Sequence, residues 1–263
     1  MGYETILVTD DGAVRTITLH RPERRNAMTA AMQEELMAAM AAAADSPGCC
    51  VLILTGAGEA FCAGLDLEQM KGMADRSTED HTREATRIAR LFRTLYELPL
   101  PTIAAVNGAA IAGGTGLATI CDFTLAVPEA KFGYTEVRIG FVPALVSAFL
   151  ALQVGDKRAR GLLLSGCLFT AEQAHGWGLV NEVVDGQHLM ARAKQQAKLL
   201  QGNSLQSMAD TKRLLAEQNR AWLDHAIGAS LRANAGARER ADFREGVSAF
   251  LEKRKPVWSK GCC

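Results

Sequence analysis

The stretch "AAVNGAAIAGGTGLATICDF", residues 104–123, passes from an apolar strand pattern into a cluster of small residues. Gly108, Gly113, Gly114 and Gly116 lie within it, and the apolar run Leu117–Cys121 follows. Glycine lets a backbone come close to another group, and a helix beginning at such a cluster offers N–H groups that lack a carbonyl partner. Which electron-rich atom do those N–H groups meet? A dinucleotide is one answer. Gly114-Thr115-Gly116-Leu117-Ala118-Thr119 fits GxGxx, but Thr119 stands where glycine or alanine is required. Glu136 has roughly the spacing of a ribose-binding acid, yet the strand-like piece 123–127 closes at Pro128, well before it. No GKS or GKT follows, so a phosphate-binding P-loop fails as well.

Outward from this stretch the chain alternates strand and helix patterns. "ETILVT" and "AVRTITLH" flank Asp10, Asp11 and Gly12 and predict a hairpin. Thr29 is placed to cap a helix running to about Ala44. "CCVLILTG" has the continuous apolar character of a strand covered on both faces. A loop and a helix are expected next, then a long helical stretch from about Glu79 to Leu98, stopped by Pro99 and Pro101. "TIAAV" and "DFTLAV" read as buried strands, 143–153, 157–164 and 171–176 as helices, and "LVNEVV" as a last strand. Helices fill 187–250. The expectation is an α/β layered core over 1–186, with a helical region over 187–263 that packs on the body or on another subunit and shares its function.

Charge and composition narrow the function. Lys and Arg number 29 and Asp and Glu 29, with no long run of one sign, which argues against a dedicated nucleic-acid partner. No apolar run has the length of a membrane span, and "MGYETILVTDDG" lacks signal character, so a cytoplasmic protein without a membrane partner is expected. The cysteines, including the pairs Cys49-Cys50 and Cys262-Cys263, lack zinc-site spacing and read as reduced thiols. The histidines are scattered without an i, i+4 pair, so no metal site is expected. Cys62 has no histidine nearby in sequence and reads as a small buried filler.

Three segments share one grammar, a buried strand followed by small residues and then a helix: "LTGAGEAFCAGLDL" (54–67), "VNGAAIAGGTGL" (106–117) and "AKFGYTEVRIGFVPA" (130–144). The first two can each deliver a backbone N–H at a helix start. Two such donors converging on one point make an oxyanion hole, the strongest electrostatic device for acyl chemistry.

These segments, with "HRPERRNAM", "LSGCLFTAEQAHGWGLVNEVV" and "REGVSAFLEKRKPVW", occur in an order that closely resembles the crotonase (enoyl-CoA hydratase/isomerase) family from about residue 4 to 258. The resemblance implies a crotonase-like α/β spiral of ββα units with a C-terminal helical trimerisation region. It also implies an acyl-CoA substrate, with coenzyme A entering as part of the thioester rather than as a tightly bound cofactor, and a homo-oligomer, trimer or hexamer. Carried over by position, the thioester-oxygen donors are the N–H groups of Leu65 and Gly113, with Gly114 and Gly116 in the same close-approach segment. Arg24, Arg25 and Ala27 match the region meeting CoA phosphates and adenine. Ala63, Asp66 and Leu67 match the adenine and pantetheine side of the first loop, and Lys253 matches a phosphate-reaching position of the last helix.

The acid/base positions depart from the family's hydratases, which it resembles elsewhere. Such enzymes pair a Glu three residues after the oxyanion glycine with a second Glu in the FGxxE segment. Here the second is Glu136, whereas the first position holds Gly116. One carboxylate can move a proton between carbons; two make it easier to activate water as well. Isomerases relying on one carboxylate share this pattern, and so does a subgroup resembling methylglutaconyl-CoA hydratase. Tyr134 and Thr135 flank Glu136 and fit either substrate contact or packing. Arg138 suits a carboxylate-bearing acyl chain, an ion pair or a helix end. The competing class is a non-catalytic acyl-CoA-binding or RNA-associating relative of the same fold.

Overall fold

The computed structural model describes residues 2–66 and 77–259. The helix expected directly after the first glycine loop, Leu67 and the Cys262-Cys263 pair lie outside the described residues. Period-two alternation builds an antiparallel hairpin of β1 (Ile6–Asp11) and β2 (Val14–Leu19), with Ile6 opposite Leu19. The Thr29 hydroxyl accepts from the Met32 N–H and starts α1 (Ala30–Ala44). β3 (Val51–Gly56) leads into β4 (Ala60–Cys62), and then α2 (Thr78–Glu97), capped by Ser77, ends just before Pro99. The chain continues through β5 (Thr102–Val106), β6 (Ala109–Ile111) and α3 (Gly113–Ile120), then β7 (Phe123–Ala126), β8 (Lys131–Gly133) and α4 (Ala144–Ser165). β9 (Phe169–Thr170), α5 (Ala171–Gly176) and β10 (Glu182–Val183) follow, and α6 (Leu189–Gln201), α7 (Leu205–Arg238) and α8 (Ala241–Leu251) end the fold.

Each ββα turn gives its first strand to one sheet and its second to another. The larger sheet has the order β1-β2-β3-β5-β7-β10 and is parallel from β2 onward. The smaller has the order β4-β6-β8-β9, with β4, β6 and β8 parallel. This is the spiral that the resemblance implies. The smaller sheet has no counterpart in the sequence pattern, because strands of two or three residues are too short to show a period.

Gly155, at φ +74, breaks α4 where the sequence places a gap between two helices. Its left-handed backbone lies outside the helical region and suits glycine alone. α6 packs on the larger sheet and contributes Leu189, Ala193 and Ala197 to the main core. α7 lies along α2 and α4, and α8 rests on the short 3-10 turn Glu136–Ile139. The helical end therefore packs on the body of its own chain.

Candidate active site

The parallel strands β4, β6 and β8 are neighbours, so their C-terminal ends lie side by side. Just beyond those ends come Leu65, Gly113 and Glu136, one from each turn of the spiral. All three line one cavity of about 140 Å³. Its walls are mostly apolar, from Met28, Ile88, Phe92, Phe141, Leu145 and Val146 among others, and α8 adds Phe250.

Local geometry fixes which atoms of the first two segments are available. Leu65 forms a parallel bridge with Met28: the Met28 N–H donates to Gly64 O at 2.7 Å and the Asp66 N–H to Met28 O at 3.1 Å. In that pattern the neighbours of Leu65 make both bonds, and Leu65 turns its own N–H to the opposite side. Gly113 is the first residue of α3, where an N–H has no carbonyl one turn back. The preceding Ala112 sits at φ +53 and ψ −122, a conformation costly for any residue with a Cβ. Its own N–H donates to Gly133 O at 2.6 Å, which anchors the helix start to β8.

Glu136 opens the 3-10 turn, and its Oε2 is buried with no hydrogen-bond partner among the described residues. Removal from water disfavours the ionised form and pushes the carboxyl up to about 7, from an ordinary 4.5. Among the described residues lining the cavity, it is the one carboxyl group. A carboxyl poised near neutrality can both take and return a proton.

The other sequence-predicted residues fall into three groups. Ala63 lines the cavity. Its N–H donates to Arg25 O at 3.0 Å, so the segment carrying Arg24, Arg25 and Ala27 runs beside the first loop, with both arginines exposed. Asp66 is ion-paired with Arg21 at 2.9 Å. Lys253 is exposed beyond α8, and its N–H donates to Phe250 O, which ties its backbone to a cavity-lining residue.

Gly114, Gly116, Tyr134 and Arg138 also lie outside the cavity lining. Gly114 and Gly116 are buried inside α3. A Cβ on Gly114 would lie 2.2 Å from Cys62 O, so the close approach made there is to β4. A Cβ on Gly116 would lie 2.7 Å from Val146 Cγ1, so α4 fills the space beside it. Tyr134 is fully buried against Phe169, its hydroxyl 3.4 Å from Thr119 Oγ1, and burial drives its ionisation far upward. Arg138 is exposed and lies against Gly166 rather than in the cavity. Burial holds the Cys62 thiol up at about 12, consistent with an inert filler.

Three residues that hold the site in place escape sequence reasoning. Asn26 is fully buried; its Oδ1 accepts from Arg21 N–H and its Nδ2 donates to Ala57 O and Ala60 O, tying the "RPERRNAM" segment to the loop before β4. Asn107 accepts from Gly56 N–H and donates to Gly58 O. The Thr115 hydroxyl donates to Ala110 O at 2.6 Å and accepts from Gly133 N–H at 3.1 Å, pinning α3 to β6 and β8. Asn26 precedes a cap and Asn107 a glycine, contexts where a plain turn is the ordinary reading.

Comparison with known proteins agrees with this architecture. The family model described as enoyl-CoA hydratase/isomerase matches residues 9–261. A Thermus thermophilus protein with a provisional enoyl-CoA hydratase name is 41% identical over 94% of this chain and 98% of its own. The 1,2-epoxyphenylacetyl-CoA isomerase of Escherichia coli is 36% identical over 97% of this chain and 98% of its own. A crystal structure of an enoyl-CoA hydratase/isomerase from Xanthobacter autotrophicus superposes with a TM-score of 0.89 at 31% identity, covering 96% of this chain and 98% of that one. By sequence, by spiral topology and by the cavity that three of its turns enclose, the chain belongs to the enoyl-CoA hydratase/isomerase family.

Proposed function

We propose that this enzyme moves protons on an enoyl-CoA thioester, with the N–H groups of Leu65 and Gly113 as the oxyanion donors and Glu136 as the sole acid/base. The observation that carries the reading is the near-neutral Glu136, the one carboxyl among the described residues of a mostly apolar cavity that both main-chain segments also line. Ionised Glu136 takes a proton from the α-carbon of a 3-enoyl thioester. The electron pair left behind delocalises onto the thioester oxygen, where two N–H donors stabilise it. The carboxyl then returns the proton to the γ-carbon, leaving the double bond between α and β, and the reverse course uses the same groups. No metal or tightly bound cofactor is required for this course; coenzyme A is part of the substrate.

Position 116 supports isomerisation over plain hydration, since Val146 occupies the space where a second carboxylate would stand. Among the described residues lining the cavity there is no cation to meet a carboxylated acyl chain, and Arg138 is exposed outside it. Arg24, Arg25 and Lys253 are the proposed contacts for CoA phosphates outside it. We place the enzyme in the cytoplasm; no helix among the described residues is long and apolar enough to cross a membrane. Exposed Leu214, Leu215 and Trp222 on α7 support assembly into a homotrimer or hexamer.

The test is a panel of 2-enoyl-, 3-enoyl- and 3-methylglutaconyl-CoA thioesters. Isomers are separated by chromatography and water adducts by mass. Conversion of the 3-enoyl thioester with little water addition to crotonyl-CoA is expected. Efficient hydration of crotonyl-CoA would overturn the single-carboxylate mechanism.

A further inference from the structure

The cavity has a second polar feature, on the opposite side of the sequence from Glu136. Asn234, on α7, is only 4% exposed, yet it lines the cavity. Its Oδ1 accepts from Arg238 Nε at 3.1 Å, one helical turn further along. A guanidinium can only donate, so this contact decides which end of the amide is oxygen and leaves Nδ2 as the other end. Among the described residues Nδ2 has no hydrogen-bond partner.

The amide is held from behind by a buried ion pair. Arg238 is completely buried, and its Nη1 and Nη2 donate to Glu84 Oε2 at 3.0 Å and Oε1 at 3.4 Å. The guanidinium also lies 5.6 Å from the ring centroid of Phe141, which lines the same cavity. A charge-compensated pair therefore locks the Asn234 rotamer from behind. An acyl oxygen entering the mostly apolar cavity in front of it would give this amide a partner that a hydrocarbon chain cannot.

We infer that Asn234 is a specificity residue whose Nδ2–H selects acyl groups bearing a hydrogen-bond acceptor, such as an ether, hydroxyl or carbonyl oxygen, over all-hydrocarbon chains of the same length. The inference rests on the reading of the cavity as the acyl site. It requires no proton chemistry, so binding of saturated thioesters tests it independently of Glu136.

The experiment is calorimetric titration with hexanoyl-CoA and with a series in which an ether oxygen replaces each chain methylene in turn. The unmodified protein should bind at least one oxygen-bearing member about tenfold more tightly than hexanoyl-CoA, the effect of one added hydrogen bond. Asn234→Asp still gives Arg238 Nε an acceptor but presents oxygen to the cavity, so that preference should vanish or invert. Asn234→Leu, checked by circular dichroism, should lose it too. Equal affinities for the whole series in the unmodified protein, or an unchanged preference in Asn234→Asp, would overturn the inference and leave the acyl site intact. Failure to bind any thioester would overturn both.

Discussion

Glu136→Gln should make the protein more stable at alkaline pH while removing its activity. The substitution keeps the shape of the side chain and deletes its ionisation. In the fold the carboxyl titrates near 7 because it is shut away from water, whereas an exposed glutamate titrates near 4.5. Between those values the folded chain holds a proton that the unfolded chain has released. The contribution of Glu136 to stability therefore falls as pH rises through this window and is lowest above about pH 7. Raising a carboxyl from 4.5 to about 7 corresponds to roughly 3 kcal/mol, at about 1.36 kcal/mol per pH unit, an upper bound because the residue opens onto a cavity. The glutamine variant should match the parent at about pH 4, below the unfolded value, and exceed it by up to ~3 kcal/mol at about pH 8, since every other titrating group cancels in the difference. Urea unfolding of both proteins across this range, at one fixed protein concentration, measures that difference. A constant difference across the range would show that the carboxyl is not desolvated, and the argument would fail. Turnover of the same variant should drop by ~10²–10⁴, the usual contribution of a general acid/base.

Gly113→Pro removes the N–H proposed to meet the thioester oxygen and should cost ~2.7–4 kcal/mol of transition-state stabilisation. The first position of a helix accepts proline, but Ala112 at φ +53 precedes it, so circular dichroism must accompany the kinetics; a folded, fully active variant would place the oxyanion donors elsewhere. Gly116→Ala should destabilise by ~1–3 kcal/mol through overlap with Val146 Cγ1, and Val146→Ala in the same chain should recover much of that loss. Strict additivity of these two changes in unfolding experiments would show that the contact is not the obstacle. Sedimentation should find a trimer or hexamer, and a monomer at micromolar concentration would refute the assembly.

How far the sequence carried depended on where each signal was stored. β3 and β5 were legible because unbroken apolar runs such as Val51–Leu54 admit one environment, and Gly155 was legible as a break between two helical patterns. The smaller sheet was not, since its pairing of Ala60 with Ala109 and of Ala110 with Phe132 joins distant segments too short to carry a period. Glu136 stood out by its ordered block, yet nothing in "FGYTEVRIG" states that Oε2 is sealed while Arg138, two residues on, points to solvent. The glycines of α3 announced a close approach without naming the partner, which proved to be β4 for Gly114 and α4 for Gly116. Asn234 was silent, because an asparagine within a long mixed helix looks solvated until Arg238 and Glu84 are placed behind it.

The donors proposed at residues 65 and 113 belong to the main chain, and every amino acid except proline supplies the same N–H. Substitution at either position changes bulk and leaves the donor in place, so this part of the chemistry is inherited with the fold rather than with particular codons. Glu136 and Asn234 are the reverse case: each is one side chain, exchangeable in one step without unmaking the loops that hold the N–H groups. A gene built this way can drift toward a new proton-handling group or a new acyl preference while its polarising device survives every intermediate. Libraries aimed at a different reaction should accordingly randomise positions 136, 146 and 234 together and leave the glycine loops untouched.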